Sequence, residues 1–165
     1  MKDIIIFSGA PGSGKTTVGE ILQRELKAPL IDFGDLRAWH LNFDWSNTNQ
    51  DEEKMAFENL IFVLRNYLKH EYKNIMITDL KDDRVLALAN IFADLNCLII
   101  SLIISDDNEL RKRILGERNS GFKNVDEAIQ RNKSIQARNI LPNEYRVDNT
   151  YNEPQKTAKG IIEQL

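Results

Sequence analysis

Apolar residues follow two alternating patterns along the chain. Short runs that are nearly continuous in apolar residues indicate strands buried on both faces of a sheet. Longer runs with apolar residues three or four positions apart indicate amphipathic helices. The helical spacing is clearest over residues 18–26, and it recurs over residues 57–68 and, more loosely, over 85–92. The predicted strands are Ile4–Ser8, 30–33, Ile75–Thr78, 98–105 and a weaker 145–148.

Three local signals predict where further helices begin. Asp106 precedes Glu109, and Asn124 precedes Glu127, by the three positions of a capping box. Pro154 suits the first turn of a last helix, where its missing N–H costs nothing. These signals predict helices after the fourth strand, before the fifth strand and at the C-terminal end.

The alternation of strand and helix predicts an α/β fold. We expect one domain over residues 1–165, with a mostly parallel sheet covered by helices on both faces. No repeat, low-complexity segment or linker interrupts this pattern. Residues 44–53 are the most polar stretch and predict a loop that leads into the helix of residues 57–68.

Composition excludes several classes of protein. Hydrophobic residues make up 42% and charged residues 28%, as in ordinary globular domains. The net charge of -3 gives no general electrostatic case for binding nucleic acid. No apolar run is long enough to span a bilayer, and the N-terminus lacks a signal-peptide layout. The single cysteine, Cys97, has no partner in the chain for a disulfide, which favours a reducing compartment. Together with the lack of a spanning run, this predicts a cytoplasmic protein without membrane partners.

A glycine-rich stretch between the first strand and the first helix carries the strongest chemical signal. Its sequence, GAPGSGKTT over residues 9–17, satisfies G-x-x-x-x-G-K-[ST] in the required strand–loop–helix context. Glycines let backbone N–H groups turn inward around an anion, and the helix N-terminus adds its own donors. The motif assigns Lys15 to the β- and γ-phosphates of a nucleotide and Thr16 to Mg²⁺. The predicted nucleotide-binding residues are Gly9, Ala10, Pro11, Gly12, Ser13, Gly14, Lys15, Thr16 and Thr17.

Other features of the chain exclude several classes of protein that share this loop. A GTPase would carry an [NT]-K-x-D motif after a late strand, and RNKSI at residues 131–135 lacks the aspartate. A chain of 165 residues leaves no room for the modules of a motor or a transporter. Small proteins with this loop are most often phosphotransferases.

With this loop and the strand pattern, the chain resembles the nucleotide-kinase-like branch of P-loop proteins. Adenylate kinase, gluconate kinase, shikimate kinase, chloramphenicol phosphotransferase and phage polynucleotide kinase are members of that branch. The resemblance implies a three-layer P-loop NTPase fold with five parallel strands in the order 2-3-1-4-5. It also implies a lid after the fourth strand, at about residues 111–124, and an acceptor-binding region at about residues 35–72.

The resemblance also implies acceptor-binding residues after the second strand, in IDFGDLRAWH. Asp35 would orient the acceptor hydroxyl and Arg37 would bind a substrate anion, with Asp32 as a competing carboxylate. The usual pattern is G-D-x-x-R, and this chain has G-D-L-R. An alternative is that Asp35 caps a helix. Trp39 and its aromatic neighbours belong either to the core or to a wall for a planar acceptor.

Two residues near the third strand match further positions of these kinases. Asp79 ends the apolar run NIMIT and resembles the carboxylate that holds Mg²⁺ through water. Arg84 matches an arginine that contacts the acceptor phosphate. The alternatives are a turn or cap role for Asp79 and a surface role for Arg84.

Arginines after the fourth strand match the lid. Arg113 and Arg118, on SDDNELRKRILGERNSGFKN, would bind the ATP phosphates and stabilise the transition state. The alternative is a charged helix face in water. Residues 149–152, after the fifth strand, would line the adenine.

These residues together predict a kinase that uses ATP and Mg²⁺ to phosphorylate a small-molecule, nucleoside or nucleotide acceptor. Lys15, Asp35, Arg113 and Arg118 are the predicted catalytic residues, with Arg118 also contacting ATP. Two alternatives stay open: a polynucleotide 5′-end kinase, and an ATP-binding regulatory protein with little transfer activity.

Overall fold

The fold is a five-stranded parallel sheet in the order β2-β3-β1-β4-β5. A computed structural model describes residues 1–40, 42, 46, 48–116 and 122–165 of the chain. Each neighbouring pair of strands runs parallel, as the crossover connections of an α/β protein require. The predicted sheet order is confirmed. The strands are β1 (Ile4–Ser8), β2 (Leu30–Asp32), β3 (Ile75–Thr78), β4 (Cys97–Ile103) and β5 (Glu144–Asp148).

Seven helices connect and cover these strands in the described part of the chain. The two predicted helix starts are confirmed, since Asp106 caps α5 by accepting from the N–H of Glu109 and Asn124 caps α6 by accepting from the N–H of Glu127. The predicted loop over residues 44–53 is wrong at its end, because Asn49 caps a helix that begins at Gln50. The helices are α1 (Lys15–Leu26), α2 (Phe33–Ala38), α3 (Gln50–Lys69), α4 (Asp82–Ile91), α5 (Asp107–Leu115), α6 (Val125–Ala137) and α7 (Pro154–Ile162).

Both faces of the sheet are buried, which explains the continuous apolar runs. Successive strand residues point to opposite faces, so Ile4 and Ile6 of β1 pack against α3 and α4. Ile5 and Phe7 pack against α1 and α7 on the other face. In the described residues, no helix is long and apolar enough to cross a membrane.

A partly buried network of charged side chains lies beside β4 and β5. Arg138 forms ion pairs with Asp82 at 3.1 Å and with Glu144 at 2.6 Å, and the Glu144 side chain is fully buried. Arg146 lies 3.4 Å from the other oxygen of Glu144. Asp82 also accepts a hydrogen bond from the hydroxyl of Ser8, at the end of β1. The network therefore ties the outer strand β5 to the strand that leads into the glycine-rich loop.

Candidate active site

The glycine-rich loop joins the end of β1 to the start of α1. Gly9, Gly12 and Gly14 have φ values of 148°, 87° and 97°, which residues with a side chain rarely adopt. Space imposes a second constraint, because a Cβ on Gly9 would lie 2.7 Å from the carbonyl oxygen of Leu102. On Gly12 it would lie 2.9 Å from a methyl carbon of Leu110, in α5. The loop conformation therefore requires these glycines on both conformational and steric grounds.

The first turn of α1 begins directly after the loop, so the N-terminal end of the helix faces the same space as the loop. Gly14 occupies the N-cap position and supplies no side-chain cap, so the positive end of the helix is left open toward an anion. Lys15 Nζ donates to the carbonyl oxygens of Gly9 at 2.8 Å and Ala10 at 3.0 Å. The lysine ammonium is thus held over the loop, as phosphate binding requires.

Two carboxylates converge at the ends of β2 and β3. Asp32 ends β2 and caps α2, and its Oδ1 accepts the N–H of Gly34 at 2.8 Å. A Cβ on Gly34 would lie 3.0 Å from Asp32 Oδ1 and 2.9 Å from Asp79 Oδ2. Both carboxylates therefore lie close to the position that a side chain on Gly34 would occupy.

Asp79 has an unusual backbone and an altered acidity. Its φ of 62° is left-handed, a conformation that Asp tolerates better than most residues. Removal from water, and then the negative charge of Asp32, raises the pKa of Asp79, while Lys15 and Arg37 act in the opposite direction. Since Asp79 is still exposed to solvent in the open cleft, this burial effect is partial.

One cleft of about 1120 Å³ brings these groups together. The loop residues Lys15 and Thr16 line one part of it, and Asp32 and Asp79 line another. The cleft also has cationic residues on its α5 and α6 side. These are Lys112, Arg113 and Arg131.

Most of the predicted nucleotide-binding residues line this cleft. Of residues 9–17, only Ala10 and Ser13 do not line it, and both are fully buried. The lining includes Gly9, Pro11, Gly12, Gly14, Lys15, Thr16 and Thr17.

The predicted acceptor residues divide into two groups. Arg37 lines the cleft and forms an ion pair with Glu53 at 2.5 Å. Asp35 is exposed in the first turn of α2 and does not line the cleft, and it is not the cap of α2. Arg84 does not line the cleft either, because its guanidinium lies 4.5 Å from the centre of the Phe57 ring, a cation–π contact with α3. The competing carboxylate, Asp32, lines the cleft.

Of the two predicted lid arginines, the structure describes only Arg113. Arg118 lies outside the described residues. Arg113 donates to the backbone oxygens of Asn149 at 3.2 Å and Thr150 at 2.5 Å, after β5. Its guanidinium therefore borders the residues predicted to line the adenine and lies 3.5 Å from the carbonyl oxygen of Gly12.

Sequence reasoning missed Arg131, which lies on α6. It lines the cleft, pairs with Glu127 one helical turn earlier and stacks on the Phe122 ring at 5.8 Å. Its positive charge lowers the pKa of Asp79 against the larger opposing effects. The spacing of Glu127 and Arg131 was visible in the sequence, but the face of α6 that meets the cleft was not.

The side chains present fit a nucleotide with Mg²⁺. The Thr16 hydroxyl and the Asp79 carboxylate are hard oxygen ligands of the kind that Mg²⁺ prefers. The glycine cradle would be filled by any added Cβ, which suits close approach of phosphate oxygens to backbone N–H groups.

A family model described as an AAA domain matches residues 5–137, most of the chain. The chain belongs to the AAA_18 family. A search of the curated proteins found no match.

Three solved structures share the fold over nearly the whole chain. A sugar kinase from Janibacter sp. HTCC2649 has a TM-score of 0.70 and 11% identity, covering 99% of this chain and 94% of that one. Shikimate kinase from Aquifex aeolicus has a TM-score of 0.60 and 19% identity, with 98% and 94% covered. YorR from Bacillus subtilis, solved in complex with phosphorylated GDP, has a TM-score of 0.61 and 18% identity, also with 98% and 94% covered. The P-loop kinase-like fold expected from the sequence is confirmed.

Proposed function

We propose that the protein is a kinase that transfers the γ-phosphoryl group of ATP to a hydroxyl group of a small-molecule or nucleotide acceptor. One observation carries the proposal: Lys15 and Thr16 of the glycine-rich loop line the same cleft as Asp32 and Asp79. Phosphoryl transfer depends mainly on positioning two substrates and on stabilising charge. A phosphate cradle that shares a cleft with two carboxylates meets both needs.

The glycine-rich loop would hold the phosphates of ATP. Backbone N–H groups at the start of α1 and the positive end of that helix favour the negative charge. Lys15 already lies over the loop, within hydrogen-bond distance of the Gly9 and Ala10 carbonyl oxygens. It would exchange one of these contacts for a phosphate oxygen and follow the charge as it moves.

Thr16 and Asp79 would hold Mg²⁺, Thr16 directly and Asp79 through water. When bound, the ion neutralises charge on the β- and γ-phosphates. Its positive charge would also favour the ionised form of Asp79, opposing the effect of Asp32 on that carboxyl.

Asp32 would orient the acceptor hydroxyl and accept its proton as the phosphoryl group is transferred. The carboxylate ends β2 at the carboxyl edge of the sheet, where substrates of open α/β proteins bind. Its Oδ1 accepts from Gly34 and its Oδ2 accepts from Thr78, which fixes its orientation. Arg113, Arg118 and Arg131 are the proposed cations of the lid side, where they would exclude water and stabilise the transferred group.

The acceptor is proposed at the level of a class. Sugar kinase and shikimate kinase share the fold, and YorR was solved in complex with phosphorylated GDP. Sugars, hydroxy acids, nucleosides and nucleotides therefore form the first acceptor panel. A polynucleotide 5′-end kinase would instead show salt-sensitive binding of a single-stranded oligonucleotide.

The direct test is ATP consumption with this panel by the wild type and by Lys15→Met. We expect phosphorylation of at least one acceptor, abolished in the variant because the mobile positive charge is lost. Lys69→Met, on the last turn of α3, is the matched control and should retain full activity. Thermal melting of both variants checks the fold. Undiminished turnover by folded Lys15→Met would overturn the assignment, and ATP binding without transfer to any acceptor would favour a regulatory protein.

A further inference from the structure

We propose that Asn149 is a positioning residue that holds the glycine-rich loop in its phosphate-binding form, an inference that rests on the proposed function. Asn149 follows β5 directly, and its Nδ2 donates to the carbonyl oxygen of Ser13, in the loop, at 2.8 Å. Its Oδ1 accepts the hydroxyl of Thr157, on α7, at 2.5 Å. Asn149 and Thr157 are only 4% and 3% exposed. The buried side chain of Asn149, 136 positions away from Ser13 in sequence, therefore links the loop to the last helix.

The orientation of this amide is determined by its partners. The Ser13 carbonyl oxygen can only accept, so the Asn149 group that faces it must be the NH₂. The Asn149 oxygen then faces Thr157, whose hydroxyl donates to it. Both polar ends of the buried amide are satisfied, and reversing the amide would bring two oxygens together at Ser13.

Holding the Ser13 carbonyl also orients the next N–H group. The Ser13–Gly14 peptide is planar and trans, so its C=O and N–H point in opposite directions. With the carbonyl held on Asn149, the N–H of Gly14 is directed away from Asn149. The amide thus selects the side of this peptide that is available to a phosphate oxygen, without touching the phosphate itself.

The position of Asn149 adds a constraint on Gly14. A Cβ on Gly14 would lie 2.8 Å from Asn149 Nδ2. The φ of 97° at Gly14 independently disfavours a side chain. The glycine at the start of α1 therefore serves two needs: the loop conformation and the close approach of the amide.

The backbone of Asn149 is held as firmly as its side chain. Its N–H donates to the carbonyl oxygen of Ile103 at 2.8 Å, and its own carbonyl oxygen accepts from Arg113 at 3.2 Å. Because these contacts come from β4 and α5, the amide has little freedom to move away from Ser13. This rigidity is what a positioning role requires.

The test compares binding of pyrophosphate and of adenosine, since a defect in the phosphate cradle should affect only ligands with phosphate. Asn149→Asp places an acceptor oxygen against the Ser13 carbonyl, and Thr157→Val removes the hydroxyl that orients the amide. We expect Asn149→Asp to weaken pyrophosphate and ATP binding about tenfold and Thr157→Val about threefold, from loss of a buried hydrogen bond. In Thr157→Val, whose side chain does not line the cleft, adenosine binding should stay within twofold of the wild type. Asn66→Asp, exposed on α3, controls for the change in net charge, and Thr157→Val tests the hydrogen bond without adding any charge beside the phosphate.

Calorimetric titration gives the affinities, with ligand-observed NMR for adenosine. Equal weakening of pyrophosphate and adenosine binding in Thr157→Val would show a merely structural role and overturn the proposal, as would unchanged pyrophosphate binding in both variants. If Asn149→Asp does not fold, the pyrophosphate and adenosine affinities of Thr157→Val test the proposal. A folded wild type that binds neither pyrophosphate nor ATP would overturn the proposed function, and this inference with it.

Discussion

Thr78 donates its hydroxyl hydrogen to Asp32, with 3.1 Å between Oγ1 and Oδ2. The donor is at the end of β3 and the acceptor is at the end of β2, so two neighbouring strands fix one carboxylate at the edge of the cleft. Asp35, three residues later, is exposed on α2. Asp32 is therefore the carboxylate that we propose to orient the acceptor.

Replacing Asp32 with Asn should abolish most transfer without loss of the fold. Asn caps helices as well as Asp does, so α2 keeps its N-cap while the proton acceptor is lost. We expect turnover to fall by about a hundredfold or more, measured as ATP consumption with an acceptor from the panel. Asp35→Asn is the matched control and should stay within about twofold of the wild type. The opposite order of the two variants would return the role to Asp35.

The ambiguity between Asp32 and Asp35 shows where sequence reasoning ended. Asp32 precedes the short helix α2 and Asp35 lies in its first turn. The distance of each residue from the phosphate loop depends on the residue at which β2 ends. The pattern favoured a strand that reached residue 33, but Phe33 begins α2 and packs into the core. Because α2 begins directly after β2 ends, Asp32 rather than Asp35 is the N-cap of that helix.

The glycine-rich loop was predictable because its determinants are local. A strand, a run of glycines, Lys15 and the first helix are adjacent in sequence, and each part supports the others. Arg131 and Asn149 were harder, because they reach the cleft from α6 and from the end of β5. Their roles depend on how distant elements pack, which the apolar pattern of one chain segment does not encode.

A Gly34→Ala substitution should impair catalysis by displacing carboxylates. The added methyl would lie 3.0 Å from Asp32 Oδ1 and 2.9 Å from Asp79 Oδ2, closer than ordinary contacts allow. We expect a higher Mg²⁺ requirement and turnover reduced by about tenfold, because one or both carboxylates must move. Magnesium titration of the transfer rate measures both effects. Gly160→Ala, whose nearest neighbour would be 4.0 Å away, is the matched control. An unchanged magnesium dependence would show that neither carboxylate serves the metal.

The ion pair of Arg37 with Glu53 should make the cleft favour uncharged acceptors. The two groups lie 2.5 Å apart, with side chains 22% and 24% exposed, so the charge of Arg37 is already compensated. We expect glucose or thymidine to be preferred over the corresponding anions, gluconate and thymidine monophosphate. Glu53→Gln should strengthen binding of the anions by about fivefold, by releasing the guanidinium charge.

Titration of both acceptor pairs into protein saturated with ADP measures this preference. ADP occupies the glycine-rich loop, so that only the acceptor end responds to the added anion. Glu58→Gln, exposed on the same helix, removes an equal charge and is the control. Equal anion affinity in the wild type and Glu53→Gln would show that Arg37 does not contact the acceptor.

Replacing Glu144 with Gln should destabilise the protein in a pH-dependent way. Burial acts to raise the pKa of Glu144, but hydrogen bonds from Arg138 and the N–H of Leu141 outweigh it and hold the pKa below its ordinary value of 4.5. Because the pKa is lower in the folded state, the carboxylate stabilises the fold above about pH 4.5. That contribution is lost as the pH falls through the folded-state pKa.

We expect Glu144→Gln to lower the free energy of unfolding by about 2–4 kcal/mol at neutral pH, because two mostly buried arginines, Arg138 and Arg146, lose a charged partner. Urea unfolding at pH 7 and pH 4 should show the difference from the wild type shrinking at the lower pH, while the exposed Glu163→Gln stays close to the wild type at both. A difference that is equal at both pH values would show that the charge of Glu144 contributes nothing.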